Sequence, residues 1–233
     1  MNFNDIPGWF MPIDQAAFAW TLQFQNRTEP PGDLLELGTY RGKAAVLMGQ
    51  HTRPGETLTV CDLFDDVATH EAVDPTEQRF VRRDVPGRAQ FEQIYLAFHD
   101  RLPNIVQGLT GTITRHLRPG SVRFVHIDAG HTYAAVREDI ASCRVLVREG
   151  GILAFDDWRK AVTPGVAAAM FEAILNEGLR PVLSTEFKFY CTWGDPAPLQ
   201  AEIVRRAAES GWATTEPAVA LPGGSVVHLH RRG

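Results

Sequence analysis

The sequence predicts an α/β fold: a doubly wound, mostly parallel, seven-stranded sheet with helices on both faces and an antiparallel strand near the C-terminus. Three observations lead there. Short apolar runs that suit strands alternate along the chain with segments of helical periodicity. The apolar runs are nearly continuous, as expected of strands buried on both faces. The first two, DLLELG (33–38) and TLTVCDLF (57–64), enclose the helix-forming GKAAVLMGQH. That is a parallel strand–helix–strand unit of about 30 residues.

Taken in order, residues 1–32 form an N-terminal helical segment. Its helix, DQAAFAWTLQFQN (14–26), has Phe18 and Leu22 on one side and ends before Pro30 and Pro31. Strand 33–38 stops at a glycine, and Pro54-Gly55 turns the chain into strand 57–64. Residues 65–87 are polar, irregular and longer than most connections, so a lid or contact loop is expected. A helix over 88–102 carries Phe91, Ile94, Tyr95 and Phe98, and strands NIVQGLT (104–110) and VRFVHID (122–128) follow. Val136, Ile140, Cys143 and Val147 recur at helical spacing over 133–148, with Gly150-Gly151 expected to close that helix. GILAFDD (151–157) is the fifth strand, and Thr163-Pro164 suits the cap and first residue of a helix over 164–177. LRPVLSTE and FKFYCTW, joined by a short link, predict an antiparallel pair. Helix 197–210 and a final strand, SVVHLHR, complete one domain over 1–233, without linker or internal repeat.

Composition narrows the function. The formal charge is −5 and the basic residues are scattered, which argues against a nucleic-acid partner. Three cysteines without CxxC-type spacing indicate neither a disulfide framework nor a thiolate zinc site. The N-terminus does not read as a secretory signal, and no run approaches the roughly 20 apolar residues of a membrane span. A soluble, cytoplasmic protein is expected, with no membrane partner and a homo-oligomer as a possible assembly.

In such a fold ligands bind beyond the C-terminal ends of the strands. LLELGTYRGKAA sets Gly38 and Gly42 at a strand-to-helix turn. Its E-x-G-x-x-x-G spacing is neither a pyrophosphate-binding GxGxxG nor a P-loop, which counts against a nicotinamide dehydrogenase. By itself it is no more than a tight turn. Asp62 adds weight, since it ends the next strand, 24 residues after Gly38, where an acid can accept hydrogen bonds from both ribose hydroxyls. With Glu36, it suits a cationic ligand carrying a nucleoside but no diphosphate.

Asp128 ends the fourth strand, and Asp156 and Asp157 end the fifth, 28 residues later. On neighbouring strands, roughly 5 Å apart, three carboxylates would converge. They repel one another unless a cation joins them. All-oxygen ligation points to Mg²⁺, Mn²⁺ or Ca²⁺. Capping of the next helix is the bland alternative, but Thr163 already serves there. His126 reads as packed, and Trp9 and Phe10 are candidates to cover the substrate.

LELGTYRG resembles the first motif of class I S-adenosylmethionine-dependent methyltransferases, and in particular the catechol O-methyltransferase type. IDAGHTY with GGILAFDDW is similar to the branch that methylates antibiotic sugars, the macrocin O-methyltransferase-like enzymes. The resemblance covers about residues 33–160. It implies S-adenosylmethionine at Gly38, Thr39, Tyr40 and Gly42, next to the acidic Glu36, with Asp62 at the ribose and Gly108 and Thr110 near the adenine. It implies Mg²⁺ or another hard divalent cation on Asp128, Asp156 and Asp157, with Asp128 also orienting the cofactor. The catechol type has a lysine as base three residues after the first metal aspartate. The sugar branch has a histidine, which makes His131 the expected general base. The expected acceptor is a small hydroxylated molecule, a sugar diol ahead of a catechol. Ala44 departs from the pattern, standing where a serine is common, and Lys43 is a substitute donor for the cofactor carboxylate. The alternatives are a metal-independent O- or N-methyltransferase and a non-catalytic S-adenosylmethionine-binding protein.

Overall fold

In the computed structural model, residues 1–66, 75 and 87–233 are described. The expected lid or contact loop over 65–87 therefore lies outside the described residues, apart from Asp65, Asp66, Pro75 and Gly87. The strands are β1 (Asp33–Leu37), β2 (Leu58–Asp62), β3 (Asn104–Gln107), β4 (Val122–Ile127), β5 (Val147–Phe155), β6 (Arg180–Ser184), β7 (Phe189–Thr192), β8 (Ala213–Thr215), β9 (Val219–Leu221) and β10 (Gly224–Arg231). The helices are α1 (Pro12–Thr28), α2 (Lys43–Gly49), α3 (Arg88–Leu96), α4 (Tyr133–Leu146), α5 (Pro164–Asn176) and α6 (Ala197–Ser210).

The strands lie in the order β3-β2-β1-β4-β5-β7-β6-β10-β8, with β9 paired to β10. β3, β2, β1, β4 and β5 run parallel. β7 runs antiparallel to both β5 and β6, as the short link between LRPVLSTE and FKFYCTW required. The strand order reverses between β1 and β4, which opens a crevice at their C-terminal ends. One face packs against α1, α2, α3 and α6 through Phe18, Leu22, Val46, Phe91 and Ile203. The other packs against α4 and α5 through Val136, Ile140, Ala169 and Met170.

Several boundaries differ from the sequence reading. Gly150-Gly151 does not close α4. The helix ends at Leu146, and Val147 is already extended (φ −82°, ψ 130°) while its N–H still bonds to the Cys143 carbonyl. β5 therefore starts at Val147, opposite Val122, and both glycines lie within the strand. α3 stops at Leu96, short of residue 102. Thr163 stands at the cap position of α5 without a side-chain capping bond. Its hydroxyl instead donates to the carbonyls of Asp157 (3.1 Å) and Lys160 (3.3 Å), securing the loop after β5. The short strands β8 and β9 were not expected from the sequence.

At the N-terminal edge of the sheet, the fully buried Arg123 reaches Glu56 through Nε–Oε1 (3.0 Å) and Nη2–Oε2 (2.9 Å). It also donates to the carbonyls of Gly32 and His51 and to Gln25 Oε1, each at 3.0 Å. This cation is structural and lies at the end of the sheet opposite the crevice.

Candidate active site

The glycine turn after β1 is shaped by its neighbours. Gly38 donates its N–H to the Cys61 carbonyl at 2.8 Å, and Asp128 donates its own to Leu37 at 2.8 Å. A Cβ at Gly38 would stand 2.1 Å from the Asp128 carbonyl oxygen, and φ is +77°, so only glycine fits. Gly42 (φ +83°) lets the Phe91 ring approach to where a Cβ would be 2.7 Å away. Asp62 Oδ2 accepts from the backbone N–H groups of Thr39 (2.6 Å) and Tyr40 (3.1 Å), and its Oδ1 accepts from Phe64 N (2.7 Å). Three of the roughly four lone-pair sites on that carboxylate are therefore spent on holding the turn. Gly108 donates to the Asp62 carbonyl at 3.0 Å, and Thr110 opens the 3₁₀ turn Thr110–Arg115 beside it. Among the described residues, the non-glycine residues with positive φ are Tyr40, Phe64 and Asp157. Each follows the C-terminal end of a strand, β1, β2 or β5, where strain accompanies ligand sites. Lys43 is turned under the N-terminal segment, with its ammonium 5.8 Å from the Phe3 ring centre. Trp9, 81% exposed, lies with its ring 5.6 Å from that of Tyr40.

A buried polar row crosses the sheet behind this turn. The register sets Glu36 opposite His126, His126 opposite Ala154, and Ala154 opposite Tyr190. Glu36 Oε1 meets His126 Nδ1 at 2.9 Å, and Glu36 Oε2 accepts from the Thr39 hydroxyl at 2.5 Å. Phe155 pairs with Phe189, so Asp156 and Lys188 stand across from each other one residue beyond. Lys188 Nζ donates to Asp156 Oδ2 (2.5 Å) and meets His126 Nε2 (3.0 Å). Its ammonium lies 5.3 and 5.6 Å from the ring centres of Phe10 and Phe18. An ammonium has no acceptor capacity, so His126 Nε2 must be bare, and Nδ1 carries the hydrogen donated to Glu36. Burial raises the Glu36 pKa to about 8. Burial, reinforced by the Lys188 charge, drives His126 well below its usual value and keeps it neutral. Burial works against the Lys188 charge too, but Asp156 and its acidic neighbours outweigh it, and the net direction is up.

The acid cluster lies at the ends of β4 and β5. Asp156 N donates to the Ile127 carbonyl at 3.0 Å, which aligns the two strand ends. Asp156 Oδ1 accepts from Asp157 N at 2.8 Å, so with Lys188 on Oδ2 both oxygens are engaged. Asp157 Oδ2 lies 2.9 Å from Lys160 Nζ and 3.3 Å from His131 Nε2. Burial raises the Asp157 pKa, but His131 and Lys160 outweigh it and hold the carboxyl below its usual range. Burial and the charge of Asp156 push Asp128 well above its own. His131 is seated just before α4, where Thr132 Oγ1 accepts from Ala135 N at 3.3 Å. Gly165 allows α5 to approach, since a Cβ there would stand 2.6 Å from the His131 carbonyl.

The three predicted aspartates thus meet at one place in two overlapping groups. Ligand atoms of Asp128, His131 and Asp157 lie within 4.8 Å of one another, as do those of His126, Asp128 and Asp156. The oxygen-rich donor set fits a hard divalent cation, with Asp128 and Asp157 the more open members. Lys188 escaped the sequence reading. The signal was present in FKFYCTW, where a lone lysine stands among strand-forming apolar residues.

Residues 35–158, just over half of the chain, match a family described as methyltransferase domain. No curated protein matches the chain. Among solved structures, CalS11, a calicheamicin methyltransferase, is 21% identical with a TM-score of 0.59, covering 82% of this chain and 84% of its own. Its apo structure, described as a TDP-rhamnose 3'-O-methyltransferase in calicheamicin biosynthesis, is 17% identical with a TM-score of 0.55, covering 82% and 85%. The O-methyltransferase from Bacillus cereus in complex with SAH is 13% identical with a TM-score of 0.51, covering 81% and 85%. At such identities the likeness establishes the shared fold. Among the described residues, no helix is long and apolar enough to cross a membrane. By its match over 35–158, the chain belongs to the methyltransferase domain family and is an enzyme of methyl transfer.

Proposed function

We propose that the enzyme transfers the methyl group of S-adenosylmethionine to a hydroxyl of a small polyhydroxylated molecule, a sugar diol ahead of a catechol, with a hard divalent cation assisting. One observation carries this reading: the contact between Gly38 and the Asp128 carbonyl, which joins the glycine turn to the acid cluster. A methyl donor on the turn and a hydroxyl at the cluster would be neighbours. The B. cereus O-methyltransferase, in complex with SAH, and CalS11, a TDP-rhamnose 3'-O-methyltransferase, support the donor and acceptor classes.

S-adenosylmethionine supplies the electrophilic methyl, and a divalent ion supplies charge that favours the ionised hydroxyl. The remaining work falls to the chain. Gly38, Thr39, Tyr40 and Gly42 form the donor's seat, which Glu36 and Asp62 hold from below. Gly108 and Thr110 flank it on the β3 side. Asp128 and Asp157 would hold the cation, with Asp156 adjoining. His131 accepts the acceptor's proton. Asp157 Oδ2, 3.3 Å from His131 Nε2, favours the imidazolium that forms.

A second reading, metal-independent transfer, is favoured by the protein cations already at the cluster, Lys188 on Asp156 and Lys160 on Asp157. The test is S-adenosylhomocysteine release with nucleotide-linked deoxysugars and catechols, with and without EDTA, for wild type and His131→Ala. Turnover that EDTA abolishes, together with a loss on the order of 10²–10⁴-fold in the variant, is expected. EDTA-resistant turnover would select the second reading. Failure of calorimetry to detect S-adenosylmethionine binding would refute both.

A further inference from the structure

The acid cluster contains three carboxylates, but one of them already has a partner that does not come and go. Lys188 is 1% exposed, closed in by Phe10 and Phe18, and bonded to Asp156 and His126. Lys160, the other lysine at the cluster, is half-exposed and reaches Asp157 from the solvent side. An arriving ion can displace Lys160 into water, whereas Lys188 has no route out. Nor is Asp156 free to swing, because Oδ1 holds the Asp157 N–H and its own N–H is bound to Ile127. With Lys188 balancing Asp156, Asp128 and Asp157 supply two negative charges when both are ionised. That total matches one divalent cation.

We propose that Lys188 is a positioning residue, the permanent counter-charge of Asp156, which removes Asp156 from the ligand set and leaves the divalent ion to Asp128 and Asp157. The inference rests on the divalent-cation reading above. Physically, a fixed ammonium beside the site repels the ion and lowers its affinity. It also keeps the cluster assembled when no ion is present. The lysine thereby sets a weak, exchangeable site, and the same contacts extend through His126 and Glu36 to Thr39 in the glycine turn.

The experiment is a Mn²⁺ titration of the full chain, followed by the electron paramagnetic resonance signal of free Mn²⁺. Wild type, Lys188→Met, Lys188→Gln, the double variant Asp156→Asn with Lys188→Gln, and Asp128→Asn are compared, each checked for folding by circular dichroism. Loss of the lysine charge should tighten Mn²⁺ binding at least tenfold, because Asp156 is then released to the ion. Asp156→Asn combined with Lys188→Gln, which removes the pair without leaving a charge behind, should stay within threefold of wild type, and Asp128→Asn should lose at least tenfold. A folded Lys188 variant that binds no tighter than wild type overturns the proposal. So does a loss in the Asp156→Asn, Lys188→Gln double variant equal to that in Asp128→Asn, and this arm decides the matter if neither single lysine variant folds. Binding by Lys188→Met with none by wild type would uphold the role of the lysine while refuting metal assistance in the native enzyme. No binding by either refutes both. A merely structural lysine would lower stability without raising affinity for the ion.

Discussion

Glu36 offers a prediction whose size follows from the structure and needs no ligand. Its carboxyl is buried, with a pKa raised from 4.5 to about 8, so the folded protein holds a proton there that the unfolded chain has released. Stability must therefore fall as pH rises from the unfolded value towards 8. The full cost is 3.5 pK units at 1.36 kcal/mol each, at most about 5 kcal/mol. His126 acts in the opposite direction: it is kept neutral in the fold, so its contribution is lost as pH falls below about 6.5. Between pH 6.5 and 8 the Glu36 effect stands clear of His126 and amounts to about 2 kcal/mol. The perturbation is Glu36→Gln. Lys188 fixes the hydrogen of His126 on Nδ1, so a glutamine carbonyl can accept it, and the Thr39 hydroxyl, which donates to the carboxylate, rotates to accept from the glutamine amide as it must from the protonated acid. Glutamine thus reproduces the protonated acid. The assay is the thermal midpoint from pH 6.5 to 8 in metal-free buffer. Wild type should lose roughly 4–8 °C, and the variant should lose that much less. Parallel slopes for the two proteins would refute the reasoning, because the falling stability would then belong to other groups.

Asp62→Ala removes the acceptor of three backbone N–H groups, so stability should drop by about 2–4 kcal/mol in urea denaturation and S-adenosylmethionine affinity at least tenfold in calorimetry. Gly38→Ala sets a methyl group 2.1 Å from a carbonyl oxygen at positive φ. A loss of about 3 kcal/mol or more is expected, together with failure to bind the methyl donor, and a variant within 1 kcal/mol of wild type would contradict the close approach. Asp156→Leu with Lys188→Met removes a buried ion pair as a unit. It should leave thermal stability unchanged or raise it by about 1–4 kcal/mol, whereas either single change should cost about 3–5 kcal/mol.

The parts of the fold that could be read from sequence are those fixed by local patterning. DLLEL, LTVCD and VRFVHI are apolar runs that cannot be helices between a glycine or proline turn and a helical period, and each is a central strand. Their C-terminal ends carry Glu36, Asp62 and Asp128, so the predicted site residues fall at one edge of the sheet. The β5 boundary was misread because Gly150-Gly151 looks like a helix stop. Pairing of Val147 with Val122 across the sheet overrides that local signal. Thr163 was misassigned as a side-chain cap because its hydroxyl is turned to the loop after β5, where it donates to two carbonyls instead of accepting from the N–H groups of its own helix. The partners of the acids were hidden more deeply. Lys188 meets Asp156 only because β7 is inserted antiparallel beside β5, and no local rule gives that register.

The polar row also explains where this fold carries its cost. Glu36, His126, Asp156 and Lys188 stand at positions where apolar residues would pack without penalty, on the face that holds Phe18, Phe124 and Tyr190. Each needs its partner's hydrogen bond to offset burial, and the chain of contacts runs unbroken from Thr39 to Asp157 through four strands. At the ends of that chain, Tyr40 and Asp157 hold positive φ, so strain accompanies desolvation at the crevice. Arg123 is different: it too is buried and paired, but it joins loops and strand starts at the far edge and leads to no open carboxylate. One buried network therefore serves the fold, while the other links the glycine turn after β1 to the acid cluster. The strand-end row is where a single substitution should alter binding at both ends of the site.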